Sequence, residues 1–181
     1  NTAYIISNAL NADALVFNNA EFTYLNAIGL VGKTYSPYAY APAHISNCSI
    51  HDGNYGVNGQ FASGSYSNNV IYKNLAGLFF ARSENVTMTS NDVYSNAPPG
   101  FAADIFVHTS KALVSKNNIY SGNIGVWAAE NTDTDFVLDD NRVFGHASMG
   151  VITQNANNVV QNNKIYTNRD GIVLEGKIPD G

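Results

Sequence analysis

Apolar runs of three to five residues, separated by Asn, Gly, Ser and Asp, recur along the whole chain in one phrase. Asn69-Val70-Ile71-Tyr72, Asn91-Asp92-Val93-Tyr94, Asn117-Asn118-Ile119-Tyr120, Asn141-Arg142-Val143-Phe144 and Asn163-Lys164-Ile165-Tyr166 are its copies, and Asn47-Cys48-Ser49-Ile50-His51 is a looser sixth. The Asn positions lie 22, 22, 26, 24 and 22 residues apart. Each phrase is followed by glycine and an apolar residue: Gly56-Val57, Gly77-Leu78, Gly100-Phe101, Gly125-Val126, Gly150-Val151 and Gly171-Ile172. Self-similarity at this period marks a solenoid. The runs are too short for helices, rich in Val, Ile, Phe and Tyr, and bounded by turn formers, so they predict strands. The expected fold is all-β: a right-handed parallel β-helix of six to seven coils, each of about 23 residues with three short strands and three corners.

Coils stacked about 4.8 Å apart turn the repeat into columns. One inward column is Ile50, Ile71, Val93, Ile119, Val143 and Ile165; a second is Val57, Leu78, Phe101, Val126, Val151 and Ile172; a third is Tyr66, Met88, Val114, Leu138 and Val160. His51, Tyr72, Tyr94, Tyr120, Phe144 and Tyr166 predict an aromatic stack. Asn47, Asn69, Asn91, Asn117, Asn141 and Asn163 predict an amide ladder at one corner. Residues 1–44 are less regular. Ala14-Leu15-Val16-Phe17 and Glu21-Phe22-Thr23-Tyr24 read as strands of an initial coil, with Ile28-Gly29-Leu30 as its glycine corner. The Tyr- and Pro-rich stretch 34–42 reads as a protruding loop, whose Tyr35 and Tyr38 either stack on sugar faces or pack on the solenoid. Residues 45–181 are expected to form the regular coils, with Ala97-Pro98-Pro99 lengthening one corner. The last phrase runs to Gly181 with no evident cap, which reads as part of a longer solenoid or as a chain that associates end to end or laterally.

Composition removes several function classes. A net charge of −5 without a Lys/Arg run excludes phosphate-backbone recognition, hence nucleic acid. No apolar run approaches membrane-spanning length. The one cysteine, Cys48, supports neither a disulfide framework nor a metal set. The acidic group Glu130, Asp133, Asp135, Asp139 and Asp140 offers the best place for calcium, which takes six to eight oxygen ligands. Asp133, Asp135 and Asp139 are the candidate ligands, against a reading of all five as solvated turn acids. Asn47 and Asn85 open sequons, which matter only on a eukaryotic secretory route.

The outward columns hold the candidate chemistry. Counting from each glycine, the second position is Asn58, Phe79, Ala102, Trp127, Ile152 and Val173, and the fourth is Gln60, Ala81, Asp104, Ala129, Gln154 and Glu175. Apolar residues on a face that should meet water mark a binding surface. Trp127 flanked by Asn58, Gln60, Asp104 and Gln154, with Phe79 and Arg82 as further contacts, reads as a sugar-binding strip, against the reading that a terminal segment or another subunit covers this face. His108, four residues after Asp104, shares its side of an extended strand, with Tyr94 and Tyr120 flanking: the residue types that proton transfer needs. His51 and Asp52 are adjacent and should face opposite sides. Arg142 and His146 fall at one corner and read as exposed.

The phrases at 45–56 (Ile45-Ser46-Asn47-Cys48-Ser49-Ile50-His51-Asp52-Gly53-Asn54-Tyr55-Gly56), at 100–104 (Gly-Phe-Ala-Ala-Asp) and at 131–138, with Asn141 following, resemble the secreted mannuronan C-5-epimerases. The resemblance implies an extracellular β-helix that engages uronate-containing polysaccharide. It places Asp104 at one of that family's aspartates. The family's Asp-Pro-His, however, is absent: Phe79 and Ala81 stand there, and one coil away Asn58 and Gln60, which cannot shuttle protons near neutral pH. The expectation is therefore a secreted polysaccharide-binding β-helix without epimerase turnover. The alternatives are an epimerase or β-eliminating lyase using Asp104, His108, Tyr94 and Tyr120, and a structural surface or filament subunit.

Overall fold

Strands as short as these cannot bury an apolar face alone, and the chain solves this by winding. The computed structural model describes residues 3–8, 14–31, 40–96, 103–129, 136–154 and 157–175. Their strands form three parallel sheets of eight, seven and seven strands, in agreement with the coil count expected from the repeat. The lateral sheet contains Ala3–Asn8, Leu25–Val31, Tyr55–Gln60, Ala76–Ala81, Ile105–His108, Ile124–Ala129, Met149–Thr153 and Asp170–Leu174. A second sheet runs from Leu15–Asn18 to Val159–Gln161, and a third, the ladder sheet, from Glu21–Thr23 to Lys164–Tyr166. Every pairing is parallel, each strand lying on its counterpart from the adjacent coil.

The predicted inward columns hold, except that Ile105 takes the place expected for Phe101. Ile50, Ile71, Val93, Ile119 and Val143 pair in sequence along the ladder sheet and are buried, with Ile165 packed against them. Tyr66, Met88, Val114 and Leu138 do the same on the second sheet. Around the outside of the ladder sheet His51, Tyr72, Tyr94, Tyr120, Phe144 and Tyr166 stack with centroids 4.6, 5.1, 4.8, 5.1 and 5.0 Å apart and planes within 14°. Residues 14–31 are more regular than the sequence suggests: Leu15 pairs with Ala43, and Ile28 with Val57. Ile28-Gly29-Leu30 is no corner, because it lies inside the strand Leu25–Val31.

Two corners turn by a single left-handed residue per coil. Asn47, Asn68, Ser90, Lys116, Asp140 and Asn162 have φ of 54–57°, and Asp52, Lys73, Ser95, Ser121 and Thr167 have φ of 53–60°. Short polar side chains tolerate this conformation best, which explains most of these choices. The repeated glycines serve another purpose. They open the lateral strands, and a Cβ on Gly56 would sit 2.6 Å from the Gly77 carbonyl oxygen, so the column is glycine because the backbones approach too closely for a side chain.

The amide ladder occupies the position just after the first left-handed corner. Asn69, Asn91, Asn117 and Asn141 are buried. Asn91, Asn117 and Asn141 each accept from the backbone N–H and Nδ2–H of the preceding ladder Asn, Asn69 accepts from the Cys48 N–H, and all four donate to a carbonyl one coil back. Asn163 closes it at the far end. Asn47 is not part of it. Asn47 is itself the left-handed residue and is exposed, its Nδ2 donating to Asn18 at 2.8 Å, while Cys48 takes the ladder slot with its N–H on Asn69 Oδ1.

Candidate functional site

A second ladder stands two residues after the aromatic stack: Asn74, Asn96, Gly122, His146 and Asn168. The Tyr72-Lys73-Asn74, Tyr94-Ser95-Asn96 and Tyr166-Thr167-Asn168 repeats are its signal in the sequence. At Gly122 the ladder has no side chain, and the gap is filled from the neighbouring column. Asp104 stands where other coils have Gly77 and Gly125: its carbonyl accepts from Leu78 N–H and its N–H donates to the Ile124 carbonyl, both 2.9 Å. Its carboxyl crosses into the vacant slot. A Cβ on Gly122 would lie 2.4 Å from Asp104 Oδ2. In this coil, then, a side chain has been exchanged between two adjacent columns.

The Asp104 carboxyl completes the ladder. Oδ1 accepts from Asn96 N–H at 3.0 Å and from Asn96 Nδ2–H at 2.9 Å, and Oδ2 meets His146 Nε2 at 3.1 Å. His146 Nδ1 in turn faces Asn168 Oδ1 at 2.8 Å, which calls for a proton on Nδ1. The Asp104 and His146 side chains are both 0% exposed. Burial drives the Asp104 carboxyl up from its ordinary 3.8 to about 6, against the lowering action of His146 and Asn96. An acid beside an imidazole has the composition of a proton-transfer pair, but no polymer can reach this one.

The placement corrects several sequence expectations. Asp104 is not on the lateral face four residues after a glycine: residues 97–102 lie outside the described residues, and resuming the column at Gly100 shifts the count. Ile105, not Phe101, sits between Leu78 and Val126, and Phe106, not Ala102, sits between Phe79 and Trp127. His108 pairs with Ala81 and Ala129 on the outward side, away from the Asp104 carboxyl. Tyr94 and Tyr120 lie on the outside of the ladder sheet, stacked on each other at 4.8 Å, with phenols pushed up by burial. The four residues proposed as a catalytic group therefore occupy three separate regions: interior, lateral face and ladder-sheet face. His146, expected to be exposed, is buried because it is a ladder member. His51 and Asp52 do cooperate, at 2.7 Å, because the left-handed Asp52 breaks the alternation just after the strand ends. That contact, with Glu21 on the other ring nitrogen at 3.1 Å, raises the His51 pKa and occupies both nitrogens.

The lateral face gathers the other candidates. Asn58, Phe79, Phe106, Trp127, Ile152 and Val173 are successive neighbours across its strands. Phe79 and Phe106 stack at 5.0 Å, and Phe106 meets Trp127 edge-on at 5.1 Å. Trp127 and Phe106 also pack on Ala103, Ile124 and Ile152, forming an apolar cluster separate from the core. The Trp127 Nε1–H and the Asn58 Oδ1, both shielded, have no hydrogen-bond partner among the described residues. Gln60 is exposed beside this strip, and Gln154 donates to Glu175 at 2.7 Å. Arg82 lies at the corner next to Ala81, in the left-handed conformation. Tyr35, Tyr38, Glu130, Asp133 and Asp135 lie outside the described residues. Asp139 accepts from Asn162 at 2.8 Å, and no group of three or more His, Cys, Asp or Glu among the described residues is placed to hold a metal. Nor is any helix of the described residues long and apolar enough to cross a membrane.

Neither a curated protein nor a solved structure matches the chain. A family model described as a right handed beta helix region matches residues 5–137 and again 67–177, the overlap following from the repeat. Together with the three parallel sheets and their unbroken column register, this establishes that the chain belongs to the right-handed β-helix family.

Proposed function

We propose that the lateral face binds an extended polysaccharide, without turning it over. The observation that carries this is the outward strip Phe79–Phe106–Trp127, whose rings succeed one another along the solenoid axis at 5.0 and 5.1 Å. Aromatic residues on an outer face offer stacking surface to the C–H faces of sugars. Asn58 and Gln60 add amide hydrogen-bonding groups. The fold is one that carbohydrate-binding and carbohydrate-processing proteins use. Extracellular location, where such polymers are met, and descent shared with the mannuronan epimerases belong to this proposal. Epimerase or lyase chemistry through Asp104 is not supported by the sealed position of its carboxyl.

A glycan array with Trp127→Ala as its control tests the reading. Binding that the variant loses, at unchanged far-ultraviolet dichroism, supports it; equal binding by both proteins removes the strip from the account. A second reading, self-association, is favoured by the terminal coils, where Tyr4, Ile6, Ile172 and Leu174 are 56, 57, 50 and 78% exposed on strands that pair on one side only among the described residues. Light scattering across a concentration series distinguishes it.

A further inference from the structure

We infer that the polymer recognised by the lateral face is uncharged, a β-linked glycan of all-equatorial hexopyranoses, and not a polyuronate. The inference rests on the binding role just proposed and adds the ligand's charge and stereochemistry. A uronate carboxylate moved onto an apolar surface needs a cation or several donors to replace its hydration. Among the described residues of the outward columns, Asn58, Phe79, Phe106, Trp127, Ile152 and Val173 carry no charge, and neither do Gln60, Ala81, Ala129 and Gln154. The one titratable side chain among the columns' middle coils is His108, which lies along the Phe106 ring at 6.2 Å. Arg82 sits at the corner, one residue past the strip.

Charge in the sequence points the same way. The whole chain carries a net charge of −5. A polyanion would meet net repulsion. An all-equatorial pyranose instead presents flat C–H faces, which match the apolar ring surfaces, and equatorial hydroxyls at its rim, which the exposed Gln60 amide beside the strip can meet. That amide requires no charged partner. Such sugars joined by equatorial bonds make a straight chain that advances along the solenoid axis in steps similar to the coil rise of about 4.8 Å.

The chain has a single tryptophan, so Trp127 emission reports on this face alone. Full-length protein is titrated with cellohexaose, with maltohexaose as the α-linked control and with a mannuronate hexamer as the charged one, at low and at high salt. The expected result is a Trp127 emission change with cellohexaose that salt leaves unaltered, and binding at least about tenfold weaker for the other two. Trp127→Ala, which removes a ring of the strip, should weaken cellohexaose binding at least about tenfold by calorimetry. Mannuronate binding as tight as cellohexaose or tighter, and weakened by salt, overturns the inference but keeps the glycan-binding face. Equal binding of maltohexaose overturns the stereochemical part. Silence of all three hexasaccharides and of a broad array overturns the binding role itself.

Discussion

Asp104→Asn is the most informative single substitution in this chain, because it changes charge while keeping shape at a site sealed from water. In the wild type the carboxyl titrates near 6 instead of 3.8. Between those values the folded chain holds a proton that the unfolded chain has released. By linkage, stability is highest below about pH 4 on this account and falls as pH rises through 6. A shift of about two pH units at about 1.4 kcal/mol each gives a loss of at most about 3 kcal/mol. Asparagine keeps an oxygen for the two Asn96 donors and offers an N–H to His146 Nε2, so the variant should lack this fall and equal or exceed the wild type above pH 6. Asp104→Ala instead strands the Asn96 N–H and Nδ2–H and the His146 nitrogen, at about 3–5 kcal/mol. Urea unfolding from pH 4 to 7 measures all three, and the wild-type minus Asp104→Asn difference isolates this site from other titrating groups. Parallel wild-type and Asp104→Asn curves across that window would refute the account of a strained buried carboxyl.

Gly122→Ala should destabilise the fold by about 1–3 kcal/mol, since its Cβ would meet the pinned Asp104 Oδ2 at 2.4 Å. In an Asp104→Ala background the same change should cost far less, a coupling that a double-mutant cycle of urea midpoints reads directly. Asn117→Ala removes the acceptor of Asn91 N–H and Nδ2–H and the donor to the Met88 carbonyl, so denaturant titration should show a loss of about 3–5 kcal/mol. Gly77→Ala should fold poorly or not at all, as its Cβ would lie 2.3 Å from the Asp104 carbonyl oxygen; soluble yield and circular dichroism check this. Substituting Tyr94, on a different sheet from the strip, by Ala should leave glycan binding unchanged while lowering the melting temperature.

Much of this fold could be read from the sequence because a solenoid repeats its environments. A residue about 22 positions on meets the same neighbours, so Ile71, Val93 and Ile119, or Tyr72, Tyr94 and Tyr120, stay alike. The second ladder was equally legible as Tyr-x-Asn, but only three of its members keep that form; His146 and Gly122 hide the other two. Cys48 hides in the same way, taking the ladder slot beside an Asn47 that is instead the left-handed corner residue.

The functional residues are harder to place, because counting from glycines fails wherever a corner is lengthened. Gly100 supplies a plausible origin and puts Ala102 outward and Asp104 at a reactive position. Pairing by residue character gives another register. Ile105-Phe106-Val107 matches Leu78-Phe79-Phe80 and Val126-Trp127-Ala128, inward and outward residues alternating in step, and leaves Asp104 in the glycine column. The cost of a buried side chain there is met by an absent one at Gly122. That compensation cannot be seen one column at a time. The register that buries Asp104 also sets Phe106 between Phe79 and Trp127, so the lack of a reactive carboxylate at this surface position and the continuity of the stacking strip are consequences of one alignment of strands.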